Sequence, residues 1–161
     1  PYTVKLEGAK RAGFQTVSMV TLRDAHYVSN VQSWIEGLEA HCRALIAKSS
    51  DESCDIQFRT IGLDATLGRL ETQTTPGHEV GVMCIVTAAS QQRAAEIAKL
   101  INPYLLHYPL TKNEPLPTFA FPYSPPEINK GLIHEFCLNH IMALSDPVEA
   151  FDLQVLEIGH A

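Results

Sequence analysis

His78 and Glu79 are adjacent residues whose side chains suit proton transfer. A carboxylate beside a histidine raises the basicity of the imidazole, so the pair could act as a general acid and base. Neighbouring residues of a strand point to opposite faces, which favours the alternative that His78 hydrogen-bonds the backbone of a loop. His107 is the third candidate catalytic residue; it ends a predicted helix, where the dipole already favours a cation.

A second candidate site comprises Asp64, Gly68 and Arg69. Backbone amides of an irregular, glycine-containing loop can surround an anion, and an arginine adds positive charge. The segment has no glycine-rich phosphate motif. We therefore predict an anion-binding loop without assigning it to a nucleotide.

His134 and His140, with Glu135 between them in one apolar segment, have side chains that could ligate a metal. Positions six apart in a strand share a face but lie about 20 Å apart along it, so the two imidazoles cannot bind one ion. The sequence has neither an HExxH motif nor the Cys/His spacing of a zinc site. It predicts no metal and no cofactor.

Composition argues against two classes of partner. The net charge of −6 disfavours a nucleic-acid binder, which usually has a basic face. No apolar stretch approaches the roughly 20 residues of a membrane helix, and the N-terminus does not resemble a signal peptide. Cys42, Cys54, Cys84 and Cys137 have no CxxC spacing, which predicts buried free thiols in a cytoplasmic protein.

The elements that must position these residues follow from hydrophobic periodicity in a single domain of residues 1–161. Strands are predicted near 14–22, 54–61, 78–88 and 132–143, and helices near 25–47 and 90–106. This order predicts an α+β fold, a ferredoxin-like split βαβ sandwich whose antiparallel sheet carries both helices on one face. A proline-rich loop at 109–131, the terminal segments or a partner would cover the other face.

Three further expectations concern the ends and the interior of the chain. Gly13 is expected to close a lead-in at 2–13, and residues 153–158 are expected to form a terminal strand or edge as part of a C-terminal extension. The predicted core comprises Trp34, Leu38, Phe58, Val82, Ile97 and Phe136.

Short motifs along nearly the whole chain suggest a family. They are Lys5-Leu-Glu-Gly-Ala, Thr21-Leu-Arg-Asp, Gly77-His-Glu-Val-Gly, Leu105-Leu-His, Ala120-Phe-Pro-Tyr-Ser-Pro, His134-Glu-Phe, Asn139-His-Ile-Met and Asp146-Pro. In this order they resemble the C-terminal part of the acyclic terpene utilisation (AtuA) family. The resemblance implies an AtuA-like ferredoxin-fold domain, here the C-terminal fragment of a longer protein, and a context in catabolism of branched acyclic isoprenoid acids.

The expected function is that of an accessory or assembly domain, because the catalytic signals are sparse. Its expected partners are the missing N-terminal domain of its own protein and further copies of itself. Self-association is predicted through the open sheet face or through the loop bearing Phe119, Phe121 and Tyr123. The alternative is a small-acid or acyl-thioester enzyme that uses His78, Glu79 and a histidine of the second half.

Overall fold

The computed structural model describes residues 1–49, 53–115, 119–146, 148 and 151–156. It has an α+β fold, a five-stranded antiparallel sheet with two main helices packed on it. The elements in chain order are β1 (Tyr2–Leu22), α1 (Ala25–Ser29), α2 (Val31–Ser49), β2 (Cys54–Ile61), a 3₁₀ turn (Gly68–Leu70), β3 (Val80–Ala88), α3 (Gln91–His107), β4 (Phe119–Ala120) and β5 (Glu127–Leu144). Two compact units emerge, which we call the ribbon unit (1–11 with 134–161) and the main unit (12–133).

The strands are ordered β2-β3-β1-β4, and β5 also pairs with β1. β1 runs antiparallel to β3 from Phe14 opposite Ala88 to Leu22 opposite Val80. β2 runs antiparallel along the other edge of β3, from Cys54 to Ile61. β3 lies between two strands, and its alternate residues from Val80 to Ala88 are buried while those between them are half-buried, in agreement with its largely apolar sequence.

Gly13 does not close a lead-in, and the expectation that it would is wrong. β1 continues through Gly13, which has a φ of +132°. A Cβ atom at this position would lie 2.8 Å from the carbonyl oxygen of Ala88. Glycine therefore serves here to let the strand pass close to β3, a role that sequence cannot distinguish from a turn.

The first predicted helix is divided in two at Asn30. The Asn30 side chain donates a hydrogen bond to the carbonyl of His26 at 2.8 Å, and its backbone has a φ of −117°. Asparagine competes in this way with the helical backbone, so α1 ends and α2 begins at Val31. The 17-residue α3 begins as predicted, with the Ser90 hydroxyl accepting from the Arg93 amide at 3.2 Å.

The core lies between the sheet and the helices of the main unit. Trp34, Leu38, Val82 and Ile97 are buried, as predicted. The Trp34 ring packs edge-on against Phe119 at 5.1 Å, so this aromatic residue of the proline-rich loop folds onto the core. Phe119 is thus partly buried against the core of its own chain.

Two of the predicted core residues are not buried. Phe58 is only half-buried, and Phe136 is 74% exposed. The alternation that predicts a strand at 132–143 is correct, since β5 contains that range. Alternation alone does not say whether anything covers the apolar face, because that depends on distant parts of the chain.

Within the ribbon unit, the first half of β1 and the second half of β5 lie side by side. Gly8 faces Leu138, whose Cβ would be 3.2 Å from a Cβ placed on the glycine. Lys10 and Glu135 form an ion pair at 2.9 Å, and the hydrogen bond that the lysine donates to the Glu135 carboxylate raises the pKa of the lysine. Every residue from His134 to Ile141 is exposed.

The remaining expectations concern the C-terminal segment and the helices. Residues 153–156 form no strand, contrary to the prediction, and residues 157 and 158 lie outside the described part. Val148 lies in a turn, and its backbone amide donates a hydrogen bond to the Asp146 carboxylate at 3.0 Å. None of the described helices is long and apolar enough to cross a membrane.

Candidate functional site

The loop between β2 and β3 is closed at its base by a backbone hydrogen bond. The amide of Gly77 donates to the carbonyl of Gly62 at 3.0 Å, so the loop leaves and re-enters the sheet at nearly one point. At its start, the Thr60 carbonyl accepts from the amides of Leu63 and Asp64 at 3.2 and 3.1 Å. These bonds make the segment a compact loop of the type that often carries function.

The tip of the loop is shaped by Gly68. The Gly68 amide donates to the Asp64 carbonyl at 2.7 Å, and a 3₁₀ turn follows from Gly68 to Leu70. Its φ of +53° is a left-handed conformation that other residues adopt at a cost.

A cleft of about 580 Å³ separates this loop from the junction of α1 and α2. The wall on the helix side includes Asn30, Gln32 and Ser33, exposed because α2 starts at the break described above. The loop side includes all three residues of the predicted anion site, namely Asp64, Gly68 and Arg69. This volume lies within the roughly 300–1,000 Å³ of small-molecule sites.

The two carboxylates of the cleft accept hydrogen bonds from groups of the chain itself. Asp64 Oδ2 accepts from Gln32 Nε2 at 3.2 Å, which links the loop to α2. Glu71 Oε1 accepts from the backbone amides of Thr72 and Gln73, both at 2.8 Å. Arg69 supplies the positive charge among the described residues of the lining, beside these two carboxylates.

Arg69 is exposed, and within the described ranges its guanidinium has no ion-pair or hydrogen-bond partner. A guanidinium binds a planar carboxylate through two parallel hydrogen bonds. The arrangement can therefore hold an anionic group at the open side of the loop.

The three predicted catalytic residues lie elsewhere in the main unit. His78 and Glu79 form an exposed bend immediately before β3, and His107 is the exposed last residue of α3. Among the described residues that line the cleft, none of these three is found. The helix-end position predicted for His107 is confirmed, whereas a shared catalytic site remains a prediction.

Metal ligation finds no support in the side-chain arrangement of the described ranges. There, no group of three His, Cys, Asp or Glu side chains is placed so that it could hold an ion. His134 and His140 belong to the exposed strand of the ribbon unit.

The four cysteines are free, and they differ in their environment. Cys42 and Cys84 are buried, Cys54 is half-buried and Cys137 is exposed, so the prediction of buried thiols is correct for only part of the set. Burial raises the pKa of Cys42 to about 12, with a further contribution from Glu39. The pKa of Cys54 is also raised, again mainly by burial, which disfavours a nucleophilic thiolate.

Sequence reasoning missed the helix side of the cleft. Gln32 and Ser33 are polar residues of the kind found on any solvent-facing side of a helix. The hydrophobic periodicity therefore does not indicate that they lie beside a cleft. Asn30, in the middle of a predicted helix, was the one available signal, because asparagine disfavours helix interiors.

No family model matches the chain, and neither a curated protein nor a solved structure is significantly similar to it.

Proposed function

We propose that this chain is an accessory domain that assembles through its ribbon unit, within an AtuA-like catabolic protein. The observation that carries the proposal is the exposure of large apolar side chains there. Phe136 is 74% exposed, Ile141 67%, Tyr2 56% and Leu138 46%. Large apolar side chains exposed together on one pair of strands are a mark of interaction surfaces, and two strands without a further partner are marginally stable in water.

The same strands carry charges of both signs. Lys10 pairs with Glu135 at 2.9 Å, and Lys5 pairs with Glu7. A surface with both signs can meet a copy of itself without net repulsion, as a two-fold symmetric interface requires. These features support self-association as the first mode of assembly, and the larger domain of the family as a further partner.

The finer fold assignment belongs to the same proposal. The order β2-β3-β1 with β4 and β5 on the far edge is what a split βαβ arrangement of ferredoxin-like type requires. The two main helices follow β1 and β3, which fits that arrangement. We interpret the chain as a ferredoxin-like domain elaborated by the ribbon.

The enzyme alternative receives less support. His78 and Glu79 are exposed at a bend, and the described lining of the main cleft does not include them. The lining carries hydroxyl, amide and carboxylate groups and, among described residues, no aromatic ring. Val28, Val31, Leu63 and Pro76 add apolar surface to this lining, which is therefore mixed in polarity.

Size-exclusion chromatography with light scattering tests the assembly. We expect a multiple of the 17.8 kDa chain mass at micromolar concentration, and a monomer for the double variant Phe136→Ser/Ile141→Ser. Leu70→Ser is the matched control, because Leu70 is 78% exposed but belongs to the cleft loop. A wild-type monomer would contradict the proposed self-association.

A complementation assay tests the role within the family. The larger N-terminal domain of an AtuA-like protein would be assayed on a branched acyclic acyl substrate, with and without this chain. We expect activity to need the chain and to survive His78→Ala. Loss of activity in His78→Ala with unchanged assembly would favour the enzyme alternative.

A further inference from the structure

We propose that the cleft between the β2–β3 loop and the start of α2 binds a small hydroxylated carboxylate, which the Arg69 guanidinium holds. This inference goes beyond the assembly role, because the lining residues belong to the main unit and the assembly residues to the ribbon unit.

The negative charge of the ligand is inferred from Arg69, which lies in the described lining beside the carboxylates of Asp64 and Glu71. Gln32 occupies one oxygen of Asp64, and the loop's own amides occupy one oxygen of Glu71. Within the described chain no acidic group pairs with Arg69. A ligand carboxylate can supply the two coplanar acceptors that this guanidinium lacks.

The hydroxylated character follows from the other polar side chains around the cleft. Ser29, Asn30 and Ser33 lie on the helix side, and Gln73 and Thr74 on the loop side. Such hydroxyl and amide groups both donate and accept hydrogen bonds, as ligand hydroxyls do. The described lining contains no aromatic side chain, and its apolar members, Val28, Val31, Leu63 and Pro76, can contact the carbon chain of such a ligand.

Rigidity of the cleft supports selective binding. The Gly77–Gly62 bond closes the loop base, and the Gln32–Asp64 bond links the loop to α2. The positive φ of Gly68 fixes the turn that precedes Arg69. A largely preformed site loses less entropy when a ligand binds.

The test is an amide chemical-shift titration of the full chain with gluconate, sorbitol and inorganic phosphate at constant ionic strength. Gluconate and sorbitol share a hydroxylated carbon chain, and only gluconate carries a carboxylate. We expect gluconate to shift the amides of Ser33, Gly68 and Arg69, and to bind about tenfold or more tightly than sorbitol.

The variants separate a specific site from general charge attraction. Arg69→Ala should weaken gluconate binding about tenfold or more, and Arg69→Lys should show an intermediate loss. Arg11→Ala removes the same charge from the ribbon unit and should bind like the wild type. Since Arg69 is exposed, both substitutions there should leave the fold intact, which the unshifted core amides would verify.

Four outcomes would overturn the proposal. They are the absence of shifts at the cleft with gluconate, equal binding of sorbitol, unchanged binding in Arg69→Ala, and phosphate binding as tight as that of gluconate. The last would make the cleft a general anion site. None of them depends on the oligomeric state, so this proposal and the assembly proposal can fail separately.

Discussion

Cys42 is a buried thiol on the inner face of α2, and burial raises its pKa from 9.0 to about 12. Cys84, on β3, is buried too, and its pKa is raised by the same cause. At neutral pH both side chains are therefore protonated and act as small apolar core groups. Ionisation of these thiols affects the stability of the fold only in alkaline solution.

We predict that stability falls as the pH rises from about 9 towards 12. In this window the unfolded Cys42 thiol loses its proton while the folded thiol keeps it, so ionisation favours the unfolded state. Below pH 9 this ionisation does not lower the free energy of unfolding. Above pH 9 it lowers that free energy by at most about 1.4 kcal/mol per pH unit. Urea unfolding measured across this range should show a smaller slope with pH for Cys42→Ala than for wild type. Cys137→Ala, at an exposed thiol, should keep the wild-type slope; equal slopes in all three proteins would contradict the prediction.

At the scale of elements, α2 is held against the core by Trp34. The ring is fully buried, and its Nε1 donates to the Tyr108 carbonyl at 2.8 Å, which links α2 to the end of α3. β5, by contrast, exposes its largest side chain, Phe136, over 74% of its surface. The two aromatic residues look equally suited to a core in the sequence, but only one is covered.

We therefore expect opposite results from two aromatic truncations. Trp34→Ala should lower the free energy of unfolding by about 3–5 kcal/mol, because it leaves a cavity and an unpaired carbonyl. Phe136→Ala should cost less than about 1 kcal/mol in the monomer, since little buried surface is lost. Denaturant unfolding at low protein concentration measures both; similar losses would show that Phe136 is covered.

A single side chain, Gln91, joins three elements of the main unit. Its Nε2 donates to Thr16 Oγ1 at 2.8 Å and to Asn129 Oδ1 at 3.1 Å, and its Oε1 accepts from the Gly131 amide at 2.9 Å. The first turn of α3 is thereby tied to both β1 and the start of β5. Networks of this kind are costly to break in part, because the remaining members lose their partners.

Gln91→Ala should lower the free energy of unfolding by about 1–3 kcal/mol and speed hydrogen exchange of the Gly131 amide. Gln92→Ala is the matched control, because Gln92 is exposed and donates its hydrogen bond to the Glu96 carboxylate on the same helix. Its effect should stay within about 0.5 kcal/mol. Equal exchange rates at Gly131 in the two variants would contradict a linking role for Gln91.

The elements that sequence predicts well are those whose pattern depends on neighbours along the chain. β3 and α3 are found nearly to the residue, because an apolar run and a capped 3.6-residue period are local signals. Asp64, Gly68 and Arg69 are also brought to one cleft, as their common loop predicts. Coverage of Phe136 and the position of Gln32 could not be predicted, since both depend on which distant segment packs nearby.

At the scale of the whole molecule, the two units differ in how much of their backbone is shielded. In the main unit, β3 is paired on both sides and its inner face is buried. In the ribbon unit, the strand residues from His134 to Ile141 are all exposed. Local stability should follow the same division, because opening the ribbon exposes little additional apolar surface.

Hydrogen exchange followed by mass spectrometry checks this division in the Phe136→Ser/Ile141→Ser variant. Peptides covering 2–11 and 134–144 should exchange well before peptides covering Val80–Ala88. In the wild type, assembly should slow exchange in the ribbon peptides and leave β3 unchanged. Equal protection of the ribbon and β3 in the variant would contradict the division.

The hydrogen bond between Gly77 and Gly62 allows the segment between them to change in sequence and length without disturbing the strands on either side. Because its two ends meet, a segment of another length could replace it with little strain on β2 or β3, and loop entropy changes only slowly with length. Related chains could thus exchange what they recognise by altering residues 63–76 alone. The same closure marks these residues as a cassette in which a designer could graft a new specificity onto an unchanged scaffold.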